Sequence, residues 1–157
     1  MKINELNAEY DKLQQKYGAK DLTSIYNGGC INSPNICFVF MNSTGKNIAS
    51  DPNWQGRRSP WIGTKNIWKL FYRIGLLDGE IYESIMAKKP LDWDEKFADL
   101  VYDNVEKHKY FITNLGKCTQ VDARILPNSV YTQYLDLLCK EIEIVNPKII
   151  ITLGNQV

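Results

Sequence analysis

The residues Cys37-Phe38-Val39-Phe40-Met41-Asn42-Ser43-Thr44-Gly45-Lys46-Asn47 set an amide, two hydroxyls, a glycine and an ammonium directly after an apolar run. An amide can orient a water, and nearby donors can stabilise an oxygen that gains charge, but no carboxylate is present to take a proton. The only histidine, His108, precedes an apolar run and reads as an exposed solubilising residue. No serine–histidine–acid set is evident. Gly45-Lys46 has part of a phosphate-binding P-loop, yet G-x-x-x-x-G-K-[ST] needs glycine at Phe40 and a hydroxyl at Asn47, and it fails at both. Cys30, Cys37, Cys118 and Cys139 form no close pair, and three of them lie in or beside expected core elements. They read as buried free thiols, with metal ligation the weaker alternative.

The elements that must position these groups follow from pattern. Residues 37–41 are a short apolar run bounded by turn formers, the signature of a buried strand of a parallel sheet. Tyr110 to Asn114 and Lys148 to Leu153 are two more, ending in Leu115-Gly116-Lys117-Cys118 and at Gly154. Parallel sheets bind ligands beyond the carboxyl ends of their strands. Residues Asn42 to Lys46, Thr113 to Lys117 and Gly154 to Gln156 are therefore expected to face one crevice. Helices are expected over 3–17, with Leu6, Tyr10, Leu13 and Tyr17 on one face, and over 61–77, with Ile67, Leu70, Phe71 and Ile74. Thr64 is a possible N-cap of the latter. One or two helices over 79–106 are separated by Pro90, and the last helix runs over 128–145 until Asn146-Pro147. Residues 22–35 and 46–60 read as loops, the second long enough to be functional. Strands alternating with helices make this an α/β chain with a parallel sheet.

At 157 residues, 44% hydrophobic and 24% charged, the composition is that of one ordinary globular domain spanning 1–157. No run approaches a membrane span, no signal peptide opens the chain, and a cytoplasmic location is expected. Net charge is only +1, but Lys46, Arg57, Arg58, Lys65, Lys69 and Arg73 face a single acid, Asp51, between Gly45 and Arg73. Such a stripe can supply phosphate contacts, and equally it can be a solvated helix face.

The series FVFMNSTG, GRRSPWIGTKNIWKLFYRIGLL, YFITNLGKC and LCKEIEIVNPKIIITLG resembles the uracil-DNA glycosylase superfamily in order and spacing from about residue 36 onward. It is most similar to the branch that carries an iron–sulfur cluster. The resemblance implies a three-layer α/β/α fold and hydrolysis of the N-glycosidic bond of uracil, or a related deaminated base, flipped out of single- or double-stranded DNA. It places Asn42 at or beside the water-positioning residue, with Ser43 the neighbouring candidate. Trp61 takes the place of the ring that stacks on the base, and Asn114 that of the amide that reads the uracil edge. Lys46, Arg57, Arg58, Lys65 and Lys117 are then candidate DNA contacts. The chemistry is consistent. An asparagine amide donates to uracil O4 and accepts from N3–H, whereas cytosine presents the opposite pattern.

The chain departs from that pattern in three ways. Cys118 matches one cluster ligand, but the fourth-ligand position falls near Tyr134 rather than Cys139, and Cys30 and Cys37 are too far apart for the usual pair. No iron–sulfur cluster or other cofactor is expected. MNSTG stands where the branch keeps glycine-acid-x-Pro-Gly, which implies a slow or selective enzyme. The 157 residues do not include the superfamily's further strand with its His-Pro-Ser motif. The resemblance thus implies a short sheet lacking its last strand, completed by a missing C-terminal segment or a partner chain. A base-binding module without catalysis is the alternative, and a small nucleotide-binding domain of unrelated function a third.

Overall fold

The computed structural model describes all residues from Met1 to Val157. Strand β1 covers Asn27–Gly29, β2 Ile36–Phe40, β3 Tyr110–Asn114 and β4 Ile149–Thr152. They form one sheet in the order β1-β3-β2-β4. β2 pairs in parallel with both β3 and β4, as the apolar runs imply. β1 runs antiparallel to β3, so the sheet is mixed rather than wholly parallel.

β1 lies in a segment that composition marks as loop. Its Asn-Gly-Gly sequence is a strand because its backbone pairs with β3, and its two glycines stand where neighbours leave no room for side chains. A Cβ on Gly28 would collide with the Tyr102 ring, and Gly29, at φ 102, lies against the Tyr110 carbonyl. Glycine is the residue that tolerates both demands.

Five helices cover the two faces: α1 (Asn7–Tyr17), α2 (Asn66–Arg73), α3 (Gly79–Ala87), α4 (Glu95–Lys107) and α5 (Asn128–Val145). Alternation along the strands sends Phe38, Phe40, Tyr110 and Ile112 to one side, against Trp68, Phe71, Ile85 and Val101 of α2, α3 and α4. Cys37, Val39 and Phe111 go to the other, against Tyr10 of α1 and Tyr131, Tyr134 and Leu138 of α5. The result is a three-layer α/β/α arrangement. No helix is long and apolar enough to cross a membrane.

Two expectations about helices change. The segment expected to be helical from Trp61 begins only at Asn66, after a turn at residues 60–63. Its buried side chains are Trp68 and Phe71, while Leu70 and Ile74 are exposed. His108 is not a free surface residue: it ends α4 and pairs through Nε2 with Asp78 at 2.8 Å. β4 forms one edge of the sheet, and Ile149, Ile150 and Ile151 on it are exposed.

Candidate functional site

The carboxyl ends of the parallel strands open into a cavity of about 1110 Å³. The turn after β2 supplies its floor, from Met41 to Ile48, and Asn155 and Gln156 after β4 close one side. Trp61 and Lys65 form the opposite wall, with Arg124 at the rim. Three cations, Lys46, Lys65 and Arg124, line the cavity, and no aspartate or glutamate does. Such a lining favours an anionic ligand.

The floor is fixed by the β3 connection. Leu115 N donates to the Phe40 carbonyl and Gly116 N to that of Met41, each at 2.8 Å. Farther along, Gly45 N donates to the Gln120 carbonyl at 2.8 Å and Gln120 N to that of Ser43 at 3.1 Å. Two connections that follow neighbouring strands are thereby laced together. Within this frame Asn42 is half-buried. Its Oδ1 accepts from the Tyr131 hydroxyl at 2.8 Å, and its Nδ2 donates to the Ser43 carbonyl at 3.0 Å. Burial pushes the Tyr131 hydroxyl up to about 12, so it is a neutral donor at any ordinary pH.

Asn114 is buried and does not line the cavity. Its Nδ2 donates to Ser43 Oγ at 3.2 Å, so the serine hydroxyl stands between the Asn114 amide and the open space. Asn42, Ser43 and Asn114 are thus brought together, though in two layers rather than side by side.

Trp61 is not a helix residue. It takes a left-handed backbone conformation, φ 66, which is strained for so large a side chain. Three donors hold its carbonyl in place: Thr64 N at 3.2 Å, Thr64 Oγ1 at 2.7 Å and Trp68 Nε1 at 3.1 Å. The indole meets the Phe40 ring edge-on at 5.0 Å, and its own Nε1 is buried without a partner. Strain held this firmly beside a cavity points to a site that needs the ring in one place.

The stripe of cations divides. Lys46 is exposed on the cavity floor. Lys65 lines the wall and donates to the Met86 carbonyl at 2.8 Å. Arg57 and Arg58 line a separate cleft of about 400 Å³ with Tyr26, Asn27 and Ser59. Arg58 holds loop carbonyls, those of Ala49 at 2.5 Å, Asp51 at 3.2 Å and Trp54 at 3.1 Å, and also bonds Thr23. Arg57 lies over the Tyr102 ring at 4.7 Å and beside Asp99 at 3.4 Å. Arg58 is committed to the fold of the 46–60 segment and Arg57 packs that segment against α4; neither lines the cavity.

Lys117 is corrected outright. Its side chain is wholly buried, and its ammonium donates to Thr113 Oγ1 and to the Asn114 carbonyl, each at 2.5 Å, and to Glu141 at 3.2 Å. Glu141 is buried too, and accepts from the Tyr10 hydroxyl at 2.7 Å and from Thr113. Desolvation lowers the Lys117 pKa, against the pull of Glu141. No phosphate can reach this ammonium. It fixes the backbone that carries Asn114.

Cys37 and Cys118 are buried, Cys30 is half-buried, and Cys139 is exposed rather than in the core. Burial, with Glu141 adding to it, pushes the Cys37 thiol up to about 12. Tyr134, at the position where the resemblance puts a cluster ligand, shares a core cluster with Cys118. No three Cys, His, Asp or Glu side chains converge to hold a metal. These residues do not fit an iron–sulfur cluster.

The chain matches no protein-family model and no curated protein. Its function must be read from the site.

The sequence pattern pointed to Asn42, Ser43, Trp61 and Lys46, all of which line the cavity. It missed Tyr131, a buried residue of α5. Nothing local marks that residue, because its partner lies 89 positions away. It also missed Glu141, an acid on an otherwise apolar face, which is the one signal that could have revealed the partner of Lys117.

Proposed function

We propose that the protein is a DNA glycosylase of the uracil-DNA glycosylase superfamily, hydrolysing the bond between deoxyribose and a deaminated base held in the cavity. The observation that carries this reading is the meeting of Asn42, Ser43 and Asn114 beneath a cavity walled by Trp61 and lined by cations without a carboxylate. Trp61 would stack on the flipped base, a contact of about 1–3 kcal/mol. The base's O4 would displace the Ser43 hydroxyl as acceptor for Asn114 Nδ2, and Asn114 Oδ1 would accept from N3–H. Asn42 would hold a water with the free lone pair of Oδ1, opposite the leaving base. As the glycosidic bond breaks, negative charge grows on the base oxygens, and donors there lower the barrier. Lys46 and Lys65 would meet the flanking phosphates of single- or double-stranded DNA.

A second reading is favoured by one observation. No carboxylate lines the cavity and the Asn42 amide cannot accept a proton, so a module that binds a base without cleaving it fits the same geometry. The exposed edge of β4 is where a further strand, from a partner chain or a longer version of this one, would add and bring missing groups to the site.

Incubation with a uracil-containing oligonucleotide, followed by alkaline cleavage, is the direct test. An abasic product is expected. Its absence, with salt-dependent binding retained, would replace the first reading by the second, and absence of both would remove each of them. In an active protein, Asn114→Asp should erase the preference for uracil over cytosine, and unchanged selectivity would take Asn114 out of its role.

A further inference from the structure

We propose that Tyr131 is a positioning residue for Asn42: with the Ser43 carbonyl setting the sense of the amide, the Tyr131 hydroxyl pins its oxygen in place, and so fixes where the cavity can hold a water. This rests on the reading above for its chemical meaning, but the geometry stands without it.

The Asn42 side chain has two possible orientations, differing by exchange of oxygen and nitrogen. In the observed one, Oδ1 accepts from Tyr131 at 2.8 Å while Nδ2 donates to the Ser43 carbonyl at 3.0 Å. Turning the amide over would set Oδ1 against the Ser43 carbonyl, two acceptors facing one another. The Ser43 carbonyl, an acceptor only, thus sets the sense of the amide, and the Tyr131 hydroxyl, able to donate or accept, takes the donor role and anchors Oδ1. A carbonyl oxygen has two lone pairs. Tyr131 occupies one, which leaves a single direction for a water and one free hydrogen on Nδ2.

Tyr131 is itself held firmly. It is buried on α5, and its ring packs beside Gly116, where an added Cβ would come within 3.2 Å of ring carbon Cε1 and 3.5 Å of the Asn42 Cβ. Gly116 N in turn bonds the Met41 carbonyl at 2.8 Å. The α5 ring, the turn after β3 and the turn after β2 thus form one packed unit, and the hydroxyl cannot follow Asn42 if the amide swings. The other titratable neighbour on this side is Cys118, whose thiol burial keeps neutral. Lys46, Lys65 and Arg124 line the same cavity, but none of them bonds the Asn42 oxygen.

Three measurements test this. Tyr131→Phe keeps the ring and its packing while removing the hydroxyl. In the side-chain amide NMR spectrum, with Asn42 assigned through Asn42→Ala, the Asn42 resonances should shift and exchange faster in Tyr131→Phe. Unmoved resonances overturn the proposal, and this arm needs no enzymatic activity. Where the wild type cleaves a uracil oligonucleotide, Tyr131→Phe should lower kcat about five- to tenfold, as loss of one hydrogen bond implies, with KM unchanged. A change in KM alone would contradict it. The third arm uses Asn42→Asp, which makes the position titratable. The Tyr131 hydroxyl stabilises that carboxylate, so the acid limb of the pH–rate profile should move up by about one unit in Asn42→Asp/Tyr131→Phe relative to Asn42→Asp. A merely structural tyrosine would leave that midpoint in place. If the wild type cleaves nothing, the glycosylase reading falls and the NMR arm still decides the role of Tyr131.

Discussion

Replacing Lys117 by methionine tests the account of the buried network beneath Asn114. In the wild type the ammonium has three partners within 3.2 Å, and both it and the Glu141 carboxylate are fully screened from water. Methionine fills similar volume but removes the charge and all three hydrogens. Glu141 keeps the Tyr10 and Thr113 hydroxyls, yet its charge is left uncompensated, and the Asn114 carbonyl loses its side-chain donor. Breaking a buried pair from one side costs roughly 3–5 kcal/mol. For a chain of this size, each kcal/mol moves Tm by about 2–4 °C, so a fall of roughly 10 °C is expected.

The loss should also depend on pH. In the variant, the folded state favours a protonated carboxyl at position 141, while the unfolded chain ionises near an ordinary glutamate value of about 4.3. Above that value the folded variant binds more protons than the unfolded chain, so its deficit relative to the wild type grows as pH rises from 5 to 8. Adding Glu141→Gln should recover most of the stability, since no buried charge then remains. Thermal unfolding followed by circular dichroism at several pH values measures all of this. A fall below about 3 °C that is the same at pH 5 and pH 8 would refute the reasoning and mean that water reaches the carboxylate.

Trp61→Ala should weaken binding of a uracil-containing strand about tenfold or more, the loss of one base-stacking face, while Trp61→Tyr restores most of it. Fluorescence anisotropy with a labelled oligonucleotide decides this, and equal affinities would dismiss Trp61 as the stacking wall. Asp78 is held well below the usual carboxylate range by Lys107, then by His108 and Asn104. Its contribution is present above about pH 4, where the unfolded carboxyl is also ionised, and is lost as pH falls further. Asp78→Asn should therefore flatten the acid side of the Tm–pH curve, and an unaltered slope would contradict the pairing. Among the thiols, Cys139 should react fast with a disulfide reagent in the native protein, whereas Cys37 and Cys118 should stay silent until denaturant is added. Rapid modification of Cys37 would mean that the β2 core opens readily.

Local patterns carried much of the fold. The three parallel strands lie where short apolar runs met turn formers, and α5 begins and ends at the residues its periodicity and Asn146-Pro147 imply. Spacing between neighbours along one chain encodes such elements, and composition suffices to read them. The same information placed Asn42, Ser43, Lys46 and Trp61 around one cavity, because strand ends and the turns that follow them are local features.

Tertiary structure decided what each group faces. β1 is a strand because its backbone pairs with β3, far along the chain, while Tyr102 and Tyr110 leave room only for glycine, so a loop-like Asn-Gly-Gly became an edge. Lys117 looked like a surface cation until Glu141, 24 residues later, was folded against it. Arg58 looked like a phosphate contact until four backbone and hydroxyl oxygens of its surroundings took its donors. Asn114 lies behind Ser43, and Asn42 is anchored by Tyr131. A side chain's polarity can be read from its type, but its partner cannot. Burial, ion pairing and amide orientation depend on groups that only the packing of distant segments brings within 3 Å or so of one another.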